Sequence, residues 1–281
     1  MALGGVTVAE PAPGPAEVSW RPWTAPVALL AGLLLAALLD LFVDLPALAA
    51  GVKITSSHTP EGIELADTFV QDLAFVGAAV YCAHLGGRKV SAWQFGLRPP
   101  RDGWWRAAWA IVVLLVTFAA LTVLWGQLVN VGREKVLDQL GVGVISAAVV
   151  CVVAPMSEEF LFRGYIFTAL RNWRGTGVAA VITGLMFGAV HAGSAPALDL
   201  VPLAALGTGL CILYRRTGSL YPCMAAHSLN NSIAFADLAN LSVGEGAALA
   251  VGALGGIVLV VFTLRRVGVI APIPADGRLA A

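Results

Sequence analysis

Three short stretches of this sequence place ionisable or amide side chains at helical spacing inside otherwise apolar blocks. They are Met156-Ser157-Glu158-Glu159-Phe160-Leu161-Phe162-Arg163, Phe187-Gly188-Ala189-Val190-His191 and His227-Ser228-Leu229-Asn230-Asn231. Glu159 and Arg163 are four residues apart, so on a helix they share a face and pair as an internal brace. Glu158 is turned about 100° from Glu159 and is the carboxylate left free for chemistry. His227 and Asn231 are also four apart and lie one above the other on one face. A carboxylate beside an imidazole activates water: the carboxylate takes the proton, and the imidazole orients the water or shares the load. A His and an Asn side by side aim two donors at one point, as an oxyanion requires, and one such donor is worth about 10²–10³ in rate. The set Glu158, His191, His227 and Asn231 fits amide hydrolysis by activated water, with no Ser or Cys nucleophile.

Each of these residues also has a plainer reading. His191 can be a buried histidine bonded to a carbonyl. His227 and Asn231 can be interhelical hydrogen-bonding groups, as small polar residues in membranes often are. Phe187 reads as packing, and Asn230, three residues from His227, can stand in for Asn231. Asp40, Asp44, Asp67, Asp72, Asp199 and Asp237 lie near expected span ends, where interfacial water explains them; His58 and His84 read as bland. The sequence has no HExxH, which excludes a zincin helix. Glu158, His191 and His227 could still form a two-histidine, one-glutamate site for zinc or another divalent metal with an open position. No cofactor is favoured, because Asn231 suits an oxyanion better than a metal.

The elements that must hold these groups are membrane helices. Of the 281 residues, 58% are hydrophobic and 12% charged, against about 25% charged in soluble domains. Stretches 107–125 and 247–264 contain no charge, and their length matches a hydrocarbon core about 30 Å thick. A charged side chain at mid-membrane costs about 2.5–3.5 kcal/mol or more. Three ionisable groups in one span must therefore face a partner or a wet cavity inside a bundle. The formal net charge is zero, no basic stripe suggests nucleic acid, and Cys82, Cys151, Cys211 and Cys223 form no CxxC and read as small apolar fillers. Residues 1–23 do not resemble a signal peptide, so the first apolar block is expected to be retained. The Arg-, Ala- and Gly-rich composition hints at a bacterial gene.

The expected architecture is all-α: a polytopic membrane protein of eight transmembrane helices with both termini cytoplasmic. The spans are expected at about 24–44, 66–85, 105–127, 141–170, 177–191, 197–214, 220–238 and 246–264. Residues 1–23 are expected to be a flexible tail, 24–140 three N-terminal membrane helices, 141–266 a catalytic helical core of five spans, and 267–281 a C-terminal tail. With this map thirteen of the lysines and arginines fall on the cytoplasmic side and three, Lys53, Arg133 and Lys135, outside, with Arg163 inside the fourth helix. That asymmetry obeys the positive-inside rule, and one miscounted span would reverse the sign of every later loop.

The three motifs, Glu158-Glu159-x-x-x-Arg163, Phe187-x-x-x-His191 and His227-x-x-x-Asn231, resemble those of the CPBP family (CaaX protease and bacteriocin-processing enzymes), which includes the prenyl-CaaX endopeptidase of the endoplasmic reticulum. The resemblance covers about residues 144–231, and the first three spans are generic. It implies an eight-helix core in the cell membrane and an intramembrane endopeptidase acting on a membrane-associated, lipidated or unlipidated, peptide. It further implies that Glu158 with His191 activates water while His227 with Asn231 holds the oxyanion, Glu159 and Arg163 supporting them. Partners are then membrane lipid and a peptide substrate, not nucleic acid. Two rivals use the same residues: a non-catalytic accessory or bacteriocin-immunity protein that keeps the pocket, and a transporter with a proton relay, against which stand the absence of broken helices and of an inverted repeat in the sequence.

Overall fold

A computed structural model of the chain describes residues 20–54, 59–85, 90–129, 143–192 and 194–271. Most of the two expected tails, His58, and the basic residues Arg88, Lys89, Arg133, Lys135 and Arg278 lie outside the described residues. Among the described residues the chain is all-helical, without strands. The long helices are α1 (Thr24–Ala49), α2 (Glu61–His84), α3 (Trp104–Val129), α4 (Val144–Val190), α5 (Leu200–Thr217), α6 (Leu220–Leu238) and α7 (Val243–Arg266). Six helical stretches, the one beginning at Ala197 and running through α5 among them, are long and apolar enough to cross a bilayer; α6, which carries His227, Asn230 and Asn231, is not one of them. The protein is a multi-pass membrane protein, and its surface agrees: α3 buries only Ala107, and its outward Trp, Val and Leu side chains would be covered by lipid tails.

The fourth and fifth expected spans form one helical stretch that folds back at Gly175, whose φ of 77° and ψ of 175° no helix accommodates. Phe162 and Phe187, nearly equidistant from Gly175 in sequence, meet edge to face with centroids 5.2 Å apart, so the limbs 144–174 and 176–190 run side by side. The first limb is the centre of the molecule. From Ser157 to Leu170 every residue is buried, which only a helix surrounded on all sides permits. Two of its turns are π-helical, Val149–Val153 and Phe160–Phe167, and they bracket the Glu158–Glu159 pair; π-turns change the direction in which side chains leave a helix and gather at functional sites.

The second limb packs on α5 with almost no intervening side chain. A Cβ at Gly207 would lie 2.9 Å from Phe187 Cβ and 3.0 Å from Gly184 Cα. Gly207→Ala should therefore destabilise the protein by about 1–3 kcal/mol of overpacking, less up to about 1 kcal/mol of helix propensity regained. A lowered unfolding temperature in detergent checks this; an unchanged one would mean that the second limb and α5 can move apart freely.

At the first helix the expected tail is not wholly loose. Trp20 is buried, with its ring 4.8 Å from Phe95 and 4.7 Å from Tyr165, and Tyr165 Oη donates to Thr24 Oγ1 at 2.7 Å. Helix α2 begins at Glu61, five residues before the expected start of its span. That shift moves Asp72 from a span end to mid-helix, where it is only 2% exposed. The expectation of interfacial solvation is wrong for Asp72. Asp237 is exposed, and Asp40, Asp44 and Asp67 are half-buried between the ends of α1 and α2. The four cysteines are buried and free.

Candidate active site

Glu159 is the hub of the buried polar groups. Its side chain is wholly buried, and Oε1 accepts from Arg163 Nη1 at 2.7 Å. The i,i+4 brace read from the sequence is present. The same oxygen lies 2.9 Å from His227 Nδ1, a contact between α4 and α6 that spacing along either helix could not disclose. Arg163 is itself fully buried; Nη2 donates to the Gly207 carbonyl at 3.2 Å, and the guanidinium lies 4.5 Å from the Phe187 ring centroid. Gly207 thus brings the α5 backbone close enough to accept from Arg163. Phe187 touches Arg163, His191 and His227, with ring centroids 4.9 and 5.6 Å from the two imidazoles. It is a packing residue, but one on which the site is assembled.

Glu158 points elsewhere, as helical geometry requires. Its side chain is 12% exposed and Oε2 is 3.9 Å from His227 Nε2, beyond hydrogen-bond distance. Among the described residues Oε2 has no hydrogen-bond partner. The cation nearest in sequence, Arg163, is committed to Glu159. A second buried carboxyl approaches from α2: Ser157 Oγ donates to Asp72 Oδ1, and Asp72 lies within electrostatic reach of Glu158. Sequence reasoning missed this residue. The available signal was an acid among Ala, Gly and Phe in an apolar span with no cation at helical spacing.

The histidine partners fix the tautomers. His191 Nδ1 is 2.7 Å from the Phe187 carbonyl oxygen, which can only accept, so Nδ1 carries the proton and the Nε2 lone pair is free in the neutral ring. His227 Nδ1 faces a carboxylate, so it too donates, leaving Nε2 toward Glu158. Asn231 Nδ2 donates to Val150 O at 2.9 Å, Ser228 Oγ to Cys151 O at 2.6 Å, and Asn230 Nδ2 to Asn231 Oδ1 at 3.4 Å. The Val150 and Cys151 carbonyls belong to the first π-turn, so α6 side chains satisfy backbone where the regular ladder is disturbed. Asn231 spends one of its two amide N–H groups on this bond. His227 and Asn231 share a face but make different contacts. Among the described residues no group of three His, Cys, Asp or Glu side chains is arranged to hold a metal ion.

The described residues thus offer a carboxylate with an unpaired oxygen, two imidazoles packed on the Phe187 ring, and an amide donor. Comparison with known proteins points the same way. Residues 138–233 match the family described as type II CAAX prenyl endopeptidase Rce1-like, and that segment holds all three motifs. The resemblance read from the motifs is thereby supported over less than half of the chain. YdiL of Bacillus subtilis (strain 168), whose name marks it as a candidate membrane peptidase, is 33% identical over 108 residues, covering 37% of this chain and 43% of that relative. The UPF0177 protein YxdF of Lactococcus lactis subsp. lactis (strain IL1403) is 26% identical over 155 residues, covering 50% of this chain and 84% of the relative. No solved structure matches the chain.

Proposed function

We propose that this protein is an intramembrane endopeptidase that hydrolyses a peptide bond of a membrane-associated peptide with water activated between Glu158 and His191. The observation that carries the reading is the buried Glu158, whose Oε2 has no hydrogen-bond partner among the described residues while Glu159 holds both Arg163 and His227 Nδ1, leaving His227 Nε2 3.9 Å from Glu158. The match to the Rce1-like family over residues 138–233 supports the peptidase class. The bundle crosses the membrane eight times in this reading, with both termini cytoplasmic: the fold-back at Gly175 separates two crossings, and α6 supplies another, its polar face turned inward.

In the reaction, a water held by His191 Nε2 loses a proton to Glu158 as its oxygen attacks the carbonyl carbon of the scissile bond. The carbonyl oxygen becomes an oxyanion that receives the second N–H of Asn231 and, when the ring carries both protons, Nε2–H of His227. Glu158 then returns the proton to the departing amine, and the C–N bond breaks. Arg163 and Glu159 keep His227 oriented; Ser157 and Asp72 anchor the turn that bears Glu158. Water activation proceeds without metal.

The test is cleavage of a library of short membrane-tethered peptides by the purified protein in liposomes, with and without chelator, beside His191→Ala. Cleavage that chelator leaves unchanged and His191→Ala abolishes is the expected result. Loss on chelation would instead assign Glu158, His191 and His227 to a metal. Failure of well-folded protein on every peptide would move the assignment to the accessory or immunity role. Asn231→Ala should lower kcat about 10²-fold through one lost oxyanion donor, with about 1 kcal/mol lost in stability for the orphaned Val150 carbonyl; a kcat within twofold of wild type would remove Asn231 from the oxyanion site.

A further inference from the structure

We propose that Arg98 and Arg101 form an anion site at the membrane interface that takes the phosphate of an anionic lipid headgroup. The site is separate from Glu158 and its neighbours, and it does not depend on the peptidase reading.

Two short connections build it. Residues 96–103 join the helical turn Ala92–Phe95 to α3, and residues 218–219 join α5 to α6. Three bonds clasp the two together: Arg101 N donates to Thr217 O at 2.9 Å, Leu220 N donates to Gly96 O at 2.8 Å, and Ser219 Oγ donates to Arg98 O. Pro99 and Pro100 stand between the two arginines, and their fixed φ stiffens the backbone that carries them. Both side chains converge on Gly218. Arg98 Nε donates to Gly218 O at 2.8 Å. Arg101 covers the Gly218 Cα, where a Cβ would stand 2.3 Å from Arg101 Nε and 2.9 Å from its Cζ. Gly218 ends α5 in the left-handed conformation, with φ of 64°, as helix C-terminal glycines do. Its missing side chain is the space that the second guanidinium fills.

Two like charges are thereby held on one residue. The C-terminus of α5 accounts for the first, since its last carbonyls attract a cation. It does not account for the second: among the described residues the Arg101 guanidinium makes no hydrogen bond, and Nη1 and Nη2 of Arg98 have no partner either. Arg98 is half-buried. Its guanidinium is held below the usual arginine range, first by burial and then by the like charges of Arg101 and Arg171, with Tyr214 acting the other way. Asp102 is the one acid in either connection; it is exposed, and among the described residues no ion pair joins it to Arg98 or Arg101. An anion that accepts from both guanidinium groups relieves this crowding, and phosphate matches their forked donors. Position selects the source. The clasp leads directly into Trp104 and Trp105 at the start of α3, which are 60% and 72% exposed, and tryptophans at a span end mark the headgroup level. With two arginines against one acid, little balances the ammonium of a zwitterionic headgroup, so a net-negative headgroup such as phosphatidylglycerol fits. Bound there, it would fasten the start of α6, the helix of His227, to the segment whose Phe95 stacks on Phe160 of α4.

Calorimetric titration of the purified full-length protein in a neutral detergent tests this, with short-chain phosphatidylglycerol, short-chain phosphatidylcholine and inorganic phosphate as separate titrants. Phosphatidylglycerol should bind and phosphatidylcholine should not. Arg98→Gln and Arg101→Gln should each weaken phosphatidylglycerol binding about fivefold, the effect of one basic residue at an anionic surface. Arg215→Gln combined with Arg216→Gln removes two charges from the last turn of α5, where both residues are exposed, and should leave the affinity within twofold. Arg98→Gln also gives up the bond to Gly218 O, so thermal unfolding is measured on every variant. Arg101 is exposed and its backbone bond to Thr217 O survives substitution, so Arg101→Gln decides the matter if Arg98→Gln does not fold. Inorganic phosphate binding as tightly as phosphatidylglycerol overturns the lipid as the source. Equal binding of the two lipids overturns the site. So does a loss in the Arg215 and Arg216 pair as large as in Arg101→Gln, or the absence of saturable binding by folded wild type.

Discussion

Glu158→Gln should abolish measurable turnover, with kcat/KM lowered about 10²–10⁴-fold, while the protein folds as well as wild type or better. The two halves of that expectation come from the same observation. Among the described residues Glu158 Oε2 has no hydrogen-bond partner, and it lies 3.9 Å from His227 Nε2. A carboxylate so placed contributes little to folding, because removal from water is not repaid by an ion pair. Gln keeps the volume and removes the charge, so no buried partner is stranded. In the proposed reaction it also removes the group that accepts the water proton and returns it to the leaving amine. The loss corresponds to about 3–5 kcal/mol of transition-state stabilisation. Peptide cleavage and thermal unfolding measured on one preparation check both halves. A variant that unfolds, or one that cleaves within tenfold of wild type, would show that Glu158 is a structural group and that the general base lies elsewhere.

Arg163→Met should do the opposite: it should unfold the protein. Arg163 and Glu159 are both fully buried and joined at 2.7 Å. Removing one partner of a buried pair leaves the other charged and uncompensated, at a cost of about 3–5 kcal/mol. The damage spreads, because Arg163 also donates to Gly207 O and Glu159 also holds His227. The companion substitution separates pairing from packing. Glu159→Gln combined with Arg163→Met removes both charges and should recover most of the stability lost by Arg163→Met alone, without recovering activity, since a neutral amide no longer orients His227 as a carboxylate does. Denaturation midpoints of the two single variants and the double variant give the coupling. Additive losses would mean that Arg163 contributes through its contacts with Phe187 and Gly207 rather than through its charge.

These two glutamates are adjacent in sequence, and the sequence assigned them different duties. It could do so because the i,i+4 relation of Glu159 and Arg163 is local: once the segment is helical, 3.6 residues per turn place them together whatever surrounds them. The same locality made His227 and Asn231 share a face and made an all-helical membrane protein plain from long uncharged blocks. The three polar motifs in apolar surroundings had to converge, since nothing but a bundle interior could satisfy them. Which groups meet across helices was decided by quantities that periodicity does not contain: the depth at which each helix sits and its rotation about its own axis. His227 reaches Glu159 because the π-turns bracketing that residue and the glycine contacts of α5 set how α4 is turned. Asn231 finds Val150 O because the first π-turn presents that carbonyl to α6. Asp72 looked interfacial because helix starts are poorly marked by composition, and a start five residues earlier carried it into the core beside Ser157. Gly175 appeared only as the gap between two spans, yet its left-handed backbone lays Phe187 against Phe162 and Arg163. The sequence determined which residues share a helix face and that they lie in a membrane. The tertiary structure alone decided which face meets which, because contacts between helices depend on rigid-body placement set by close-packed surfaces far apart in the chain.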